Sequence, residues 1–227
     1  MSGSAEPSFR PERIRDFIRA HTRLRPVPHA PEIMLHVADE SVELWQKTEA
    51  ELDRIGLPAP FWAFAWAGGQ ALARYLLDHR NAVAGRRVLD LGAGSGLAGI
   101  AAALAGGAPV IACDIDAFAE QAIALNSEAN GVYVEVLARD PLDDPAPADA
   151  RYDLIVTGDL FYERETAART LAFLRRHAAS GTKILIGDPG RAYLPRQELR
   201  RACEYRIAVT RELEDTDVRR VAVWTLE

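Results

Sequence analysis

From residue 86 onward, apolar runs alternate with helix-like stretches. Arg86–Gly92, Pro109–Asp116, Tyr133–Arg139, Tyr152–Asp159 and Thr182–Asp188 are short and almost continuously hydrophobic. Such runs suit parallel strands covered on both faces better than half-exposed strands, which alternate. Between them, LAGIAAALA, AFAEQAIALNSEAN and Glu163–Ala179 carry helical spacing. The ending differs. After a helix predicted around Pro195–Cys203, the strand-like runs Tyr205–Leu213 and Arg219–Leu226 are separated only by Glu214–Val218, too short for a crossover helix. They must pair as an antiparallel hairpin. The pattern predicts an α/β, Rossmann-like, seven-stranded sheet, mostly parallel with an antiparallel terminal hairpin and helices on both faces.

The first 59 residues read as a separate helical extension on the substrate side, a lid, with the main domain at 60–227. Pro26, Pro28 and Pro31 interrupt the chain between one predicted helix at Glu12–His21 and a second near Ser41–Ile55. The segment PAPFWAFAWAGGQALARYLLDH follows, with a helix expected from about Gln70.

Composition narrows the partners. With 227 residues, 48% of them apolar, the chain can bury one substantial core. A net charge of −6 argues against a nucleic-acid binder that works through bulk electrostatics. No apolar run approaches the roughly 18 residues of a membrane span. Cys113 and Cys203 lie far apart without metal-ligand spacing, so a reducing cytoplasm and no disulfide framework are expected; the chain is also expected to be a monomer. The arginine-rich N-terminus has the look of a transit peptide, but Glu6, Glu12 and Asp16 interrupt it.

The chemistry concentrates where strands end. Val88-Leu-Asp-Leu-Gly-Ala-Gly-Ser-Gly-Leu places Gly92, Ala93, Gly94 and Gly96 directly after the first parallel strand. Glycines there allow a tight turn with a ligand close to the backbone. Asp90, just before them, would repel a pyrophosphate but suits a cationic amino-acid moiety; its alternative role is to cap the following helix. Asp114 ends the next strand, where α/β folds hold both ribose hydroxyls with a carboxylate. Asp116 competes for that role, and Ile115 between them would pack on an adenine. Asp140, after the third strand, can accept from an exocyclic amine or serve as a solvated loop acid. Gly94-Ser-Gly-Leu-Ala-Gly99 matches the dinucleotide fingerprint in letters only, because that fingerprint begins at the glycine ending the strand, here Gly92. The fourth strand ends in Gly158-Asp-Leu-Phe-Tyr, where Asp159 and Tyr162 could share a pocket and hold a nitrogen nucleophile. Asp159 could otherwise cap the helix that follows.

These segments resemble the seven-strand protein lysine methyltransferases whose motif after the fourth strand is Asp-x-x-Tyr. Within them the chain is most similar to the electron transfer flavoprotein β-subunit lysine methyltransferases and their bacterial relatives. The likeness rests on residues 60–77, the motif around Asp90, Asp153–Tyr162 and Ile186–Arg191. Where relatives often carry Trp-Pro-Gly-Gly, this chain has Trp66-Ala-Gly-Gly69. The resemblance implies S-adenosylmethionine as cofactor and a protein substrate, the flavoprotein β subunit. It also implies Trp66 and Gly69 beside the methionine end and Asp159 as the essential acid; Gly158 joins the cofactor set.

A lysine amine with pKa near 10.4 is only about 0.1% neutral near pH 7.4, a deficit of roughly 4 kcal/mol. A nearby carboxylate deepens the deficit by stabilising the ammonium. Asp159 and Tyr162 are therefore expected to capture and orient the amine, with deprotonation through water. A small-molecule or ribosomal-protein N-methyltransferase and a catalytically silent cofactor-binding module are the competing readings. A docking role for the arginines of the N-terminal segment, and for Arg191, competes with their being simply this chain's surface cation.

Overall fold

The computed structural model describes residues 10–38, 59–142, 152–208 and 218–226. Strands β3 (Val88–Leu91), β4 (Val110–Asp114), β5 (Glu135–Ala138), β6 (Leu154–Gly158), β7 (Lys183–Asp188), β8 (Leu199–Ala208) and β9 (Val218–Leu226) form a seven-stranded sheet. Its order is β5-β4-β3-β6-β7-β9-β8, with β9 inserted antiparallel between β7 and β8. The five strands from β3 to β7 are parallel. The predicted sheet and hairpin are thus both present. The helix expected at 195–203 is absent: a short 3-10 turn at Arg196–Glu198 leads straight into β8. Backbone pairing with β9 along that edge outweighs the local helical spacing.

The sheet distributes its side chains with period two. Val88, Ala112, Val156 and Leu185 turn toward α2 (Ala67–Asp78), α3 (Leu97–Leu104) and α4 (Ala117–Ala129). Leu89, Ile111, Ile155 and Ile186 turn toward α5 (Arg164–Ala179), which contributes Phe173 and Leu174. Both faces are covered, which is why the strand sequences look hydrophobic at every position.

The proline-rich segment is a strand pair, not a break. After α1 (Pro11–His21), β1 (Thr22–Val27) and β2 (Ala30–Ala38) pair antiparallel in a two-stranded sheet of their own. A prolyl residue is tolerated there because both strands are edges. The free backbone edge of β2 is satisfied by amide side chains of α4. Asn130 Oδ1 accepts from Met34 N–H and Asn126 Oδ1 from His36 N–H, each at 2.8 Å. Asn126 Nδ2 reaches on to the carbonyl of Ser95 at 2.8 Å, tying the hairpin to the glycine loop. Ile14 and Ile18 of α1 pack with Trp62 and with Phe118 of α4. The described part of the extension is therefore a packed layer. The helix predicted near 41–55 lies outside the described residues. Among the described residues, no helix is long and apolar enough to cross a membrane.

One contact sets how close α2 comes to the sheet. A Cβ on Gly68 would collide with the carbonyl oxygen of Gly187 and lie 2.5 Å from Asp159 Oδ2. A Cβ on Gly187 would collide with Gly68 in return, and one on Gly158 would sit 3.0 Å from Gly69 N. Gly69 itself is looser, its nearest neighbour being Leu97 at 3.5 Å. Gly68→Ala should therefore cost about 1–3 kcal/mol from overpacking. Gly69→Ala should be neutral, or stabilising by up to about 1 kcal/mol through helix propensity. Urea denaturation of the two variants checks this pairing, and equal midpoints would contradict it.

Candidate functional site

The ligand crevice of an open α/β sheet lies outside the carboxyl ends of its strands, and Asp114 and Asp159 stand at the carboxyl ends of β4 and β6. The glycine loop turns through left-handed backbone at Gly92, Gly94 and Gly96, with φ of 66°, 51° and 80°. It is drawn onto the end of β4: the N–H groups of Gly92 and Ala93 donate to Cys113 O at 2.9 and 3.0 Å, and that of Gly94 donates to Asp114 Oδ2 at 2.8 Å. Gly96 caps α3, and Gly99 lies inside that helix, so the dinucleotide-like lettering has no fingerprint geometry.

Asp90 is buried beneath this loop and accepts from Gly99 N–H at 2.7 Å. Its helix-capping role and its position behind the loop are both realised. Burial pushes its carboxyl up to about 7, partly opposed by the Gly99 bond and assisted by the charge of Asp114. An acid so placed gains from a cationic neighbour. Asp114 stays half-buried, with Oδ1 turned to the N–H groups of Ile115 and Asp116 at 2.8 and 3.1 Å. Asp116 is committed elsewhere, as the cap of α4, accepting from Phe118 N–H at 2.8 Å. Ile115 is 76% exposed, an apolar face left open beside Asp114.

Asp140, which follows β5, is held in an ion pair. Its Oδ2 is paired with Arg169 of α5 at 2.7 Å and its Oδ1 accepts from Leu142 N–H at 2.9 Å. The carboxylate is spoken for by its own side of the sheet. The guanidinium of Arg169 lies 29 positions downstream, and nothing in the local sequence announces it.

The end of β6 is the most constrained point of the crevice. Asp159 is buried, and its φ of 60° is the sole left-handed value at a non-glycine among the described residues. That conformation is uncommon for a side-chain-bearing residue and costs of order 1 kcal/mol. It swings the carboxylate under the first turn of α2, where Oδ2 accepts from Gly69 N–H at 3.1 Å. Oδ1 accepts from Nε and Nη2 of Arg191 at 3.1 and 2.7 Å. Burial raises the Asp159 carboxyl above its ordinary range, and Arg191 pulls it back. Asp159 does not cap α5; Glu163 does, accepting from the N–H groups of Glu165 and Thr166.

Tyr162 and Asp159 are both linked to Arg191, the one along a cleft wall and the other through an ion pair. Tyr162 is 47% exposed and lines an open cleft of about 250 Å³ with Pro189, Gly190, Arg191, Ala192 and Arg219. Arg191 stands between the two, on the cleft wall and on the carboxylate at once. Trp66 lies beside it, with the Arg191 guanidinium 5.8 Å from its ring centre and its own Nε1 donating to Phe61 O at 2.8 Å. Phe61, 5.8 Å from the Tyr162 ring, extends this aromatic rim. Sequence reasoning gave Arg191 only a docking role. The available signal was Asp188-Pro-Gly-Arg191, a turn in which Asp188 Oδ1 accepts from the N–H groups of Gly190 and Arg191 at 2.6 and 2.7 Å.

The donor set around the glycine loop suits hydroxyls and a cation better than a pyrophosphate, since acids crowd it from three directions. Known proteins agree with that chemistry. The profile of the lysine methyltransferase family matches residues 61–198. The electron transfer flavoprotein beta subunit lysine methyltransferase of Xenopus laevis is 39% identical over 223 residues, covering 94% of this chain and 87% of that one. Its Mus musculus namesake is 37% identical over 200 residues, covering 86% and 76%. Among solved structures, magnesium protoporphyrin IX methyltransferase from Synechocystis PCC 6803 with bound SAM shares the fold, at TM-score 0.52 and 15% identity over 84% of this chain and 87% of that one. This chain belongs to the lysine methyltransferase family, among the relatives named electron transfer flavoprotein beta subunit lysine methyltransferases, and its methyl donor is S-adenosylmethionine.

Proposed function

We propose that this enzyme methylates lysine side chains of the electron transfer flavoprotein beta subunit, acting as a cytoplasmic monomer. The observation that carries the reading is the buried carboxylate of Asp159, held at the open end of β6 between the first turn of α2 and Arg191. The substrate comes from the names borne by the relatives that match most of this chain. An open cleft with an arginine and aromatic rim favours a protein acceptor over a small molecule, which a closed apolar lid would suit better.

When bound, S-adenosylmethionine supplies a methyl group already activated on a sulfonium. The chain's own work is to bind, orient and exclude water. Asp114 offers its carboxylate to the ribose hydroxyls while holding the glycine loop in place. Ile115 offers its exposed side chain to the adenine. Gly92, Ala93, Gly94 and Gly96 keep the backbone low enough for close approach, and Gly69, Gly158 and Trp66 border the methionine end. Asp90 contributes negative charge from beneath. Asp159 receives the acceptor nitrogen at the end of β6, and Tyr162 guides the side chain in from the cleft.

Tritiated methyl transfer from S-adenosylmethionine to the isolated beta subunit, followed by mass spectrometry of the product, is the direct test. Methyl-lysine on that subunit is the expected result; label confined to small molecules would replace this reading with a small-molecule N-methyltransferase. Asp159→Asn should reduce turnover by at least about a hundredfold, on the scale of losing one preorganised polar group. Cofactor affinity by calorimetry should stay within a few-fold in that variant. Asp114→Asn should weaken cofactor binding by roughly tenfold or more, the value of a charge-assisted hydrogen bond. Asp116→Asn, which keeps a side-chain oxygen for the α4 cap, should leave binding nearly unchanged.

A further inference from the structure

A lysine reaching Asp159 arrives as an ammonium, and a lone buried carboxylate would hold it in that unreactive form. Asp159 is not a lone carboxylate. Its Oδ1 is shared by two N–H donors of Arg191, at 3.1 and 2.7 Å, and its Oδ2 is engaged by Gly69 N–H. Arg191 is itself fixed at three levels. Its backbone N–H is held by Asp188, which is 1% exposed, its guanidinium lies over Trp66, and its side chain forms part of the cleft wall. An acceptor nitrogen entering from the cleft therefore meets Arg191 on the wall, with the carboxylate that it holds next behind it.

We propose that Arg191 is a positioning residue of the methyl-transfer reaction, which by holding Asp159 as half of a neutral ion pair makes the site favour the neutral amine of the substrate lysine over its ammonium. The inference rests on the reading that Asp159 receives the lysine nitrogen. An ammonium at Oδ1 would be held less strongly than by a lone carboxylate, because the guanidinium bonded to the same oxygen repels it. A neutral amine can donate one N–H to Oδ1 while its lone pair stays free. The proton lost from the ammonium leaves to bulk water through the open cleft. Arg191 keeps its own protons, because a guanidinium does not deprotonate in proteins, and Asp159 remains a carboxylate throughout.

The other charged and titratable groups around this point are of both signs. The turn after β7 adds Asp188, whose Oδ1 is occupied by the Gly190 and Arg191 N–H groups. Arg196 from the 3-10 turn bonds the carbonyl of Gly190 at 3.1 Å, and Arg219 of β9 lines the cleft opposite Tyr162. The α2 side contributes only the Gly69 N–H, another positive pole.

The test compares wild type, Arg191→Met and Arg191→Lys in two measurements. In the first, the pH profile of kcat is recorded for methyl transfer to the beta subunit, with label counted in the gel-resolved substrate. Arg191→Met should move the acidic limb to higher pH by at least about one unit, the usual effect of one close charge. Much of the loss should be recovered at alkaline pH, and Arg191→Lys should return the limb toward wild type. A uniform loss with an unmoved limb, or a gain in activity, would overturn the proposal: the first marks a purely structural arginine and the second an inhibitory latch. In the second measurement, carbon-13 NMR follows the Asp159 carboxyl, assigned with Asp159→Asn, in protein free of substrate and cofactor. Its titration midpoint should rise in Arg191→Met and recover in Arg191→Lys; coincident curves overturn the proposal. If wild type fails to label the beta subunit, the substrate assignment falls while the carboxyl titration still decides the role of Arg191.

Discussion

The contact between glycines 68 and 187 governs the rest of the site. With no side chain on either residue, the first turn of α2 rests directly on the carboxyl end of β7. That approach brings Gly69 N–H within 3.1 Å of Asp159 Oδ2 and gives the carboxylate a partner that any wider helix packing would withdraw. It also places Trp66, the residue that caps α2, where its ring can flank Arg191. The left-handed backbone of Asp159 makes sense in this setting. A local cost of order 1 kcal/mol turns the carboxylate under the helix and away from the strand direction.

Charge at the crevice is arranged in two regions of different character. Around the glycine loop, Asp90, Asp114 and Asp116 are held by backbone N–H groups, which set peptide dipoles against their negative charge. Burial raises Asp90 to about 7 and Asp116 to about 6, leaving a region that gains from positive charge. At the end of β6, the acid is instead balanced by a full guanidinium, and the open cleft beyond it carries further arginine. The first region therefore suits a cationic moiety, whereas at the second the acid already holds a cation of its own chain.

The N-terminal layer connects to the same chemistry through Asn126. Its side chain bonds the edge of β2 on one side and the Ser95 carbonyl of the glycine loop on the other. The extension thus braces the cofactor loop from behind as well as covering α4.

Much of this was legible in the sequence because it depends on neighbours along the chain. Continuous apolar runs announced buried parallel strands, the short Glu214–Val218 link demanded a hairpin, and glycines after a strand announced a close-approach loop. Asp159 was marked by its place at a strand end. What went unread depended on partners distant in sequence. The hairpin at 22–38 hid behind its prolines, since the amides that satisfy its edge come from α4, some 90 residues away. Helical spacing at 195–203 lost to the pairing of β8 with β9. Asp140 was drawn to Arg169, and Asp159 to Arg191. The sequence by itself determined the strand order's raw material, the glycine loop and the identity of the acids, because backbone freedom and side-chain chemistry are local properties. Only the tertiary structure decided which acids are paired and by what, because an ion pair is a property of distance in space, set here by how closely α2 and the turn after β7 fold over the end of β6.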